Sequence, residues 1–459
     1  MAIDSKHPEY EREIDNVTLC RVLYEGESAV KDCDIIYLPP TSGMIMDGMG
    51  INQTGRLAYN AYKMRAKLPD YFKEAVENSI GLMHRSCPTV QLPEFLSFLA
   101  ESATQIGESL EMLLRKVNAE QLIVGRLVLL PNFKKVDGKD VPYLSLYTFE
   151  SVGNWNPVNG ELQCLILDES KQVLGDDYSW KLQKRFRVME MVDGVLNVTV
   201  RAEDGSEIEP TFTPMFKGQT FKFIPATIIN AMDLAMEVDK PPMLGLANHV
   251  IGMYRSEADY RQHLFLQSQD TLVTIGSMVQ TTPLPDMDNG AVRIGAGSRI
   301  EMDLGGDAKF IGVGANGLQE QRTALENDHI IAARKSGQLA SARSNSVESG
   351  ATLQTRINSQ TANLNQMALA GALGLQTAIR KLAQIMGATP QQIEEIVIEP
   401  NLEFAEQGMP ADELVKLMQA KAMGAPLSEQ SIHDLMETKR VTSMSYEDEL
   451  VIIANEAIK

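Results

Sequence analysis

Residues 241–266, PPMLGLANHVIGMYRSEADYRQHLFL, are the stretch from which the fold of this chain is inferred. Two prolines interrupt any regular element before them. Apolar side chains then recur every three or four residues, at Met243, Leu246, Val250 and Tyr254. This spacing predicts a helix of about 25 residues with one buried stripe. The order of helices and strands on either side of this helix indicates the fold of the chain.

On its C-terminal side, strand-and-turn patterns over 271–313 precede a second helix, predicted over Leu318–Lys335. The polar stretch SGQLASARSNSVESG follows at 336–350. Long loops of this kind are uncommon inside compact proteins and are often functional. A helix of about 35 residues is predicted over 351–386, which is longer than most globular helices and typical of a spanning or bundle element. The tail is again helical, with Ser428 as a predicted helix N-cap.

On its N-terminal side, residues 53–120 have helical spacing, including a helix predicted to begin at Pro93 and to continue to Leu113. Between Leu122 and Ile229 the period of the apolar residues changes to two. The strand candidates are LIVGRLVLL, YLSLYTF, LQCLIL, FRVMEM, VLNVTV and FKFIPATII. Asp-Gly and Asn-Gly pairs supply turns, and FRVMEM-VDG-VLNVTV is the clearest hairpin. Helices followed by a mostly antiparallel sheet predict an α+β fold.

Composition and charge exclude several classes of function. The 459 residues carry a formal net charge of −19. This charge argues against a protein that grips DNA over its whole surface, because phosphate binding needs clustered Lys and Arg, although an acidic protein can still surround DNA. There is no apolar run of about 18 residues, so no membrane span is expected, and no secretory signal is expected at the N-terminus. The four cysteines are scattered without metal-ligand spacing, as in proteins of a reducing cytoplasm.

Catalytic motifs are largely missing. The strings GxSxG, HExxH and GxxxxGK[ST] do not occur, and the six histidines are isolated in the sequence, so neither an enzyme nor a cofactor or metal site is expected. Gly312-Val-Gly314-Ala-Asn-Gly317 does match GxGxxG between a predicted strand and a predicted helix. A second parallel strand with an acidic residue, which dinucleotide binding requires, does not follow. A dinucleotide-binding oxidoreductase is therefore a remote alternative.

One local charge pattern differs from the acidic average. Residues 329–360 hold four basic residues, Arg334, Lys335, Arg343 and Arg356, against one acid. The loop between the two helices is therefore weakly basic, and it is either an ordinary solvated loop or a segment that touches phosphate without reading bases. By contrast, residues 399–459 hold twelve acids and five basic residues, which would repel DNA.

Several strings of the chain resemble portal proteins, the head–tail connectors of tailed bacteriophages. They are HPEY near the start, AVKD and YLPP, FKFIPATIIN, PPMLGLANHVIGMYRSEADYR and SVESGATLQTRI. The resemblance covers nearly the whole chain, and the PPMLGLA…ADYR helix is its most specific piece. It implies a portal fold with an α/β wing, a two-helix stem, a small β-containing clip, a tunnel loop with a long helix, and a helical C-terminal crown.

The resemblance also assigns these parts by position. It places an N-terminal arm and wing at 1–241, the first stem helix at 242–270, the clip at 271–316, the second stem helix at 317–335, the tunnel loop at 336–350, the long helix and wing return at 351–400, and the crown at 401–459.

The function that the resemblance implies is a non-catalytic ring, expected to have twelve subunits, at the portal vertex of the capsid. Double-stranded DNA would pass through it, without sequence recognition, during packaging, retention and ejection. The implied partners are the terminase large subunit, a head-completion or adaptor protein and the major capsid protein, in the virion and, during assembly, in the host cytoplasm. Arg334, Lys335, Arg343 and Arg356 are hypothesised to form sparse basic rings in the channel. The alternative is another head–tail adaptor or minor capsid protein.

Overall fold

A computed structural model of the protein describes residues 3–136, 138–268, 271–275, 307–311, 317–336, 350–402, 411–423, 428–438, 444 and 446–456. Some side chains inside helices and strands lie outside that description, chiefly those of 271–275, 307–311, 350–361 and 411–414. The chain divides into two units. The sheet unit consists of Met1–Arg12, Glu77–Asp239 and Ser344–Lys459, and the helical unit consists of Glu13–Val76 and Lys240–Arg343.

The α-helices among the described residues are α1 (Pro8–Glu25), α2 (Glu27–Asp32), α3 (Ser42–Met46), α4 (Thr54–Arg65), α5 (Tyr71–Met83), α6 (Leu110–Ile123), α7 (Leu244–Gln267), α8 (Leu318–Lys335), α9 (Gly350–Ile385), α10 (Pro390–Glu394), α11 (Ala411–Ala422), α12 (Glu429–Thr438) and α13 (Tyr446–Glu456).

The strands among the described residues are β1 (Thr89–Gln91), β2 (Arg126–Val136), β3 (Lys139–Thr148), β4 (Val152–Val158), β5 (Glu161–Asp168), β6 (Lys171–Leu174), β7 (Trp180–Gln183), β8 (Phe186–Val192), β9 (Val195–Arg201), β10 (Glu207–Phe212), β11 (Met215–Phe216), β12 (Gln219–Thr220), β13 (Thr227–Asn230), β14 (Thr271–Ile275), β15 (Asp307–Ile311) and β16 (Val397–Glu399).

The sheet unit contains two larger antiparallel sheets. One has three strands in the order β13-β2-β3, and the other has five in the order β10-β9-β8-β5-β4. The predicted hairpin FRVMEM-VDG-VLNVTV is confirmed as β8 and β9. Its turn places Asp193 at φ 51° and Gly194 at φ 76°, the left-handed pair that a tight two-residue hairpin turn requires. Helices and antiparallel sheets thus share the chain, so the α+β class is confirmed.

The core of the sheet unit lies between the three-stranded sheet and two helices. Leu127 and Leu129 of β2 and Ile229 of β13 are fully buried against leucines and small residues of α6 and α9. The sheet contributes one apolar face and each helix contributes one stripe, which is the usual way to bury both. This packing holds the second half of α9, whose length was predicted from the sequence within one residue at each end.

Helix α9 approaches the sheet unusually closely at a glycine. A Cβ atom on Gly374 would lie 2.5 Å from Cδ1 of the buried Ile229. Two turns further on, the Lys381 ammonium group donates to the carbonyl oxygen of Ala226 at 2.6 Å. Burial lowers the pKa of Lys381 to about 8.

Lys381 therefore makes the stability of the sheet unit depend on pH. The lysine is deprotonated more easily when folded than when unfolded, so the unfolded state binds more protons between pH 8 and the ordinary lysine pKa of about 10.5. The free energy of unfolding should rise with pH across that window. The Lys381→Met variant should lack this rise. Its free energy of unfolding at pH 7 should exceed that of the parent by up to about 3 kcal/mol. Urea unfolding at several pH values measures both, and parallel pH profiles for the two proteins would contradict the prediction.

A buried arginine organises the loop that follows β13. Arg126 is 1% exposed, and its guanidinium donates to Oδ1 of Asn230 (2.9 Å), to the carbonyl oxygen of Glu237 (2.7 Å) and to that of Met236 (2.9 Å). It also lies over the Trp155 ring at 4.8 Å. Burial lowers the pKa of Arg126 to about 10, while nearby carboxylates act in the opposite direction. These bonds fix the path of residues 231–239.

The helix predicted from Pro93 to Leu113 is wrong. A 3₁₀-helix covers Glu94–Ala100, and α6 begins only at Leu110. Ser109 causes the new start, because its hydroxyl accepts a hydrogen bond from the Met112 N–H at 3.2 Å as an N-cap. The apolar spacing continued across this break and concealed it.

Two strand candidates were also too long. Leu122 and Ile123 belong to α6, and Gly125 at φ 83° separates that helix from β2. Of FKFIPATII only the last three residues, 227–229, lie in a strand, β13 (Thr227–Asn230). The strands β1, β4, β6, β7, β10, β11 and β12 were not predicted, and most of them are short or largely exposed.

Candidate functional site

In the helical unit, α7 and α8 pack as an antiparallel pair. Three contacts fix their direction along the chain. The Lys335 ammonium group donates to the Gly245 carbonyl oxygen at 3.1 Å; His249 Nε2 lies 3.0 Å from the Asp328 carbonyl oxygen; and His263 Nδ1 lies 2.9 Å from Gln321 Oε1. The end of α8 therefore lies beside the start of α7.

The sequence explains this pairing. On α7, Leu246, Val250, Tyr254 and Ala258 are buried, and they follow the predicted spacing of three or four residues. On α8 the described buried residues are Leu325 and Ala332 only. Helix α8 therefore uses a narrow stripe against α7 and leaves most of its surface exposed. Narrow apolar stripes are typical of helices that pack in pairs.

Helix α4 supports α7 with polar contacts that the sequence did not predict. The Tyr62 hydroxyl donates to Asp259 Oδ1 at 2.6 Å, and burial together with this carboxylate raises the pKa of Tyr62. The Arg65 guanidinium donates to Gln262 Oε1 and lies 4.0 Å from the Phe265 ring centre. These partners are about 200 residues apart in sequence, so spacing alone gives no signal for them.

Strands β14 and β15 extend the pair. They are antiparallel, with Thr271 opposite Ile311 and Ile275 opposite Asp307. Helix α7, β14, β15 and α8 therefore form one long hairpin whose end, residues 276–306, lies outside the described residues. Residues 312–316 of the GxGxxG string also lie outside them, and Gly317 precedes α8 as its N-cap with φ 89°. Because β15 pairs with β14 antiparallel, the described strands do not form the parallel βαβ unit that dinucleotide binding needs.

Two of the four basic residues singled out from the sequence lie at the opposite end of this hairpin, where α7 begins and α8 ends. Arg334 and Lys335 are exposed in the last turn of α8. Arg343 lies outside the described residues, as do 337–349 of the predicted tunnel loop. Arg356 lies in α9, and its side chain is outside the description. The structure thus brings two of these residues together and leaves the placement of the other two as a prediction.

Charge is unevenly distributed along α8. The acids Glu320, Glu326 and Asp328 lie before its last two turns, whereas Arg334 and Lys335 occupy its C-terminal turn. Cations at a helix C-terminus are favoured by the helix dipole, by about 0.3–1 kcal/mol each when exposed. This end of the hairpin therefore presents positive charge just before residues 337–349.

The chemistry available at this end of the hairpin is that of two exposed cations, Arg334 and Lys335. Exposed Lys and Arg side chains interact with phosphate oxygens of any sequence. Among the described residues, no three His, Cys, Asp or Glu side chains are grouped as metal ligands. None of the described helices is apolar over a length that would cross a bilayer.

A comparison with protein families finds a match that includes the α7–α8 hairpin. Residues 242–386 match a family described as "Domain of unknown function (DUF4055)". The matched segment begins just before α7 and ends just after α9, so it contains the hairpin, the basic turn and the long helix. A comparison with curated proteins finds no match.

A comparison with solved structures finds chains that are similar to this one over most of its length. One belongs to "Virion of native gene transfer agent (GTA) particle", with 14% sequence identity and a TM-score of 0.42. Two others belong to "Neck of empty GTA particle computed with C6 symmetry" and "Neck of native GTA particle computed with C12 symmetry", each 13% identical, with TM-scores of 0.40 and 0.36. In each case the similarity covers 80% of this chain and 89% of the other.

Proposed function

We propose that this chain is the subunit of a phage portal, a ring at the capsid vertex through which double-stranded DNA is packaged, retained and ejected. The observation that carries the proposal is the hairpin of α7, β14, β15 and α8, whose basic end leads into residues 337–349 and then into the 36-residue α9. This order agrees with the stem, clip, tunnel loop and long helix that the sequence resemblance implies.

Electrostatics explains how such a ring would act. Each subunit has a net charge of −19, so an oligomer would present a strongly acidic wall to DNA. Like charges prevent tight binding, and the few cations near 334–356 would contact phosphates weakly at one level of the channel. Such a channel lets DNA slide and does not hold it. The ring is proposed to have twelve copies and to bind the terminase large subunit, an adaptor protein and the major capsid protein.

Charge reversal at the basic turn should impair DNA passage and spare assembly. In particles assembled with Arg343→Glu, or with Arg334→Glu and Lys335→Glu together, nuclease-protected DNA should fall several-fold because the phosphate contacts become repulsive. The control is Arg115→Glu, the same charge change on an exposed residue of α6. Quantitative PCR of protected genomes measures the effect. Unchanged packaging in both basic-turn variants would remove the proposed role of these residues.

Imaging of the purified protein tests the ring directly. Negative-stain micrographs should show rings with a central hole wide enough for a DNA duplex. The charge-reversal variants should form the same rings, which separates a defect in DNA passage from a defect in assembly. A chain that stays monomeric at high concentration would contradict the proposed function.

A further inference from the structure

The ring of His7 attaches the residues before α1 to the sheet unit. It stacks on the indole ring of Trp155 in β4, with ring centres 4.0 Å apart and an angle of 18° between the planes. The Arg126 guanidinium lies 4.8 Å from the centre of the same indole ring. The backbone N–H of His7 donates to the Gly153 carbonyl oxygen at 3.0 Å. Both the side chain and the backbone of His7 therefore contact β4.

His7 is also the N-cap of α1. Its carbonyl oxygen accepts a helical hydrogen bond from the Glu11 N–H at 3.1 Å. Its Nδ1 accepts from the Glu9 N–H at 3.2 Å, so the side chain pairs one of the amides that have no partner within the helix. An imidazole nitrogen can accept this bond only while it is unprotonated. The neutral ring is therefore the form that caps α1.

The first turns of α1 also hold the loop that leads to α7. The backbone N–H of Val238 donates to Glu9 Oε2 at 2.9 Å. The Val238 carbonyl oxygen accepts from the Arg12 guanidinium at 3.0 Å. Val238 is buried and lies between β13 and α7. The path of this loop therefore depends on where Glu9 and Arg12 are held, and so on the cap that His7 provides.

Protonation of His7 would disturb the start of α1 in several ways. Nδ1 would become a donor that faces the Glu9 N–H, so the cap would be lost. A positive charge would lie at the N-terminus of α1, where the helix dipole disfavours cations. Burial of the ring penalises its charged form and lowers the pKa of His7 below its usual value of 6.5. The Glu9 carboxylate acts on this pKa in the opposite direction, and the Arg126 guanidinium lowers it further.

The surrounding charges do not remove this preference for the neutral ring. Glu9 on α1 and Arg126 on β2 are the charged groups that act on the ring, and β4 presents the uncharged Trp155 to it. Lys6, the preceding residue, places its ammonium group over a tyrosine ring of α1. An imidazolium would be attracted to the Trp155 ring and to the Glu9 carboxylate. Because the pKa of His7 is nevertheless lowered, burial and Arg126 outweigh that attraction.

We propose that His7 is an acid-sensitive latch, whose protonation releases the residues before α1 and its first turn from the sheet unit and loosens the loop that leads to α7. The latch is closed at neutral pH and opens as the pH falls below about 6.5. The sign follows from linkage, because the released chain binds a proton more readily than the attached chain does. All of these contacts lie within one subunit, so the inference goes beyond the proposed portal function and does not depend on it.

Hydrogen exchange measures the opening of the latch in the full chain. The amides of residues 7–11 are followed by mass spectrometry at pH 7.5 and pH 5.0, and each rate is divided by that of an unstructured peptide at the same pH. Protection should fall several-fold at the lower pH, and by no more than about 30-fold, the limit for a released imidazole of ordinary pKa. In a Trp180→Phe background, acrylamide quenching of the buried Trp155, the other tryptophan, should rise over the same range.

Two substitutions hold the latch in one state. His7→Asn keeps a cap acceptor that does not titrate, so its protection should be the same at both pH values. His7→Lys has no acceptor and is charged at both, so it should already be open at pH 7.5. The matched control is His263→Asn, the same change at an exposed histidine of α7, which should respond to pH as the parent does.

Three results would overturn the latch. Equal loss of protection in the parent and in His7→Asn would assign the response to another group. A parent that keeps its protection at pH 5.0 would show that protonation does not release the segment. A His7→Lys variant that is fully protected at pH 7.5 would show that the cap and the charge at this position do not hold it.

Discussion

Replacing Arg126 with methionine should lower the free energy of unfolding by about 3 kcal/mol. The substitution removes three hydrogen bonds from a charged donor and leaves Asn230 Oδ1 and the carbonyl oxygens of Met236 and Glu237 without that donor in a buried site. Hydrogen bonds to charged groups contribute about 1.5–3 kcal/mol each, and the relief of desolvating the arginine offsets part of the loss. Urea denaturation followed by circular dichroism measures the change.

The control for this prediction is an arginine with partners at the surface. Arg322 lies 2.9 Å from Glu326 one turn along α8, and both side chains are about 60% exposed. Arg322→Met should change the free energy of unfolding by no more than about 0.5 kcal/mol. Arg126→Lys should fall between the two, because an ammonium group keeps the charge and loses the fork that reaches three acceptors. Equal effects of Arg126→Met and Arg322→Met would show that the buried contacts do not stabilise the unit.

Gly374→Ala should destabilise the sheet unit although alanine is the better helix former. The new Cβ would lie 2.5 Å from two side-chain carbons of Ile229, which is fully buried. Overpacking of this kind costs about 1–3 kcal/mol, and the gain in helix propensity is about 1 kcal/mol. A net loss of about 1–2 kcal/mol is expected, and Gly374→Val should lose more.

At a second helical glycine, replacement by alanine should have the opposite effect on stability. Gly252 lies inside α7, is exposed and has nothing within 4 Å of the position of a Cβ. Gly252→Ala should therefore stabilise the protein by about 0.5–1 kcal/mol. Thermal unfolding of the two variants beside the parent measures both. If Gly374→Ala also stabilises the protein, then α9 and β13 are not packed as closely as the structure describes.

The elements of the candidate site were largely predictable. The helix of about 25 residues predicted within 241–266 is α7, Leu244–Gln267, and the one predicted over Leu318–Lys335 is α8. The prediction succeeded because each helix has a periodic stripe and a clear boundary, the prolines before α7 and Gly317 before α8. The N-cap at Ser428 is also confirmed, since its hydroxyl accepts from the Ser431 N–H at 3.0 Å.

The β6–β7 hairpin shows where pattern reading fails. Its strands have four residues each and bury neither face within the chain, so the alternation of Trp180-Lys181-Leu182-Gln183 is too short to identify a strand by itself. From the sequence alone, Trp180 cannot be distinguished from a buried aromatic residue. Its exposure is a property of the fold.

The sequence by itself determined the order and type of most elements and the small excess of basic residues around the end of α8, because periodicity, caps and charge are local properties. Only the tertiary structure decided which helices and strands meet. It placed Lys335 beside Gly245, enclosed Arg126 among carbonyl oxygens, and brought Gly374 against Ile229. Those contacts join residues far apart in the chain, and they form because distant apolar faces must be buried together, which no local spacing encodes.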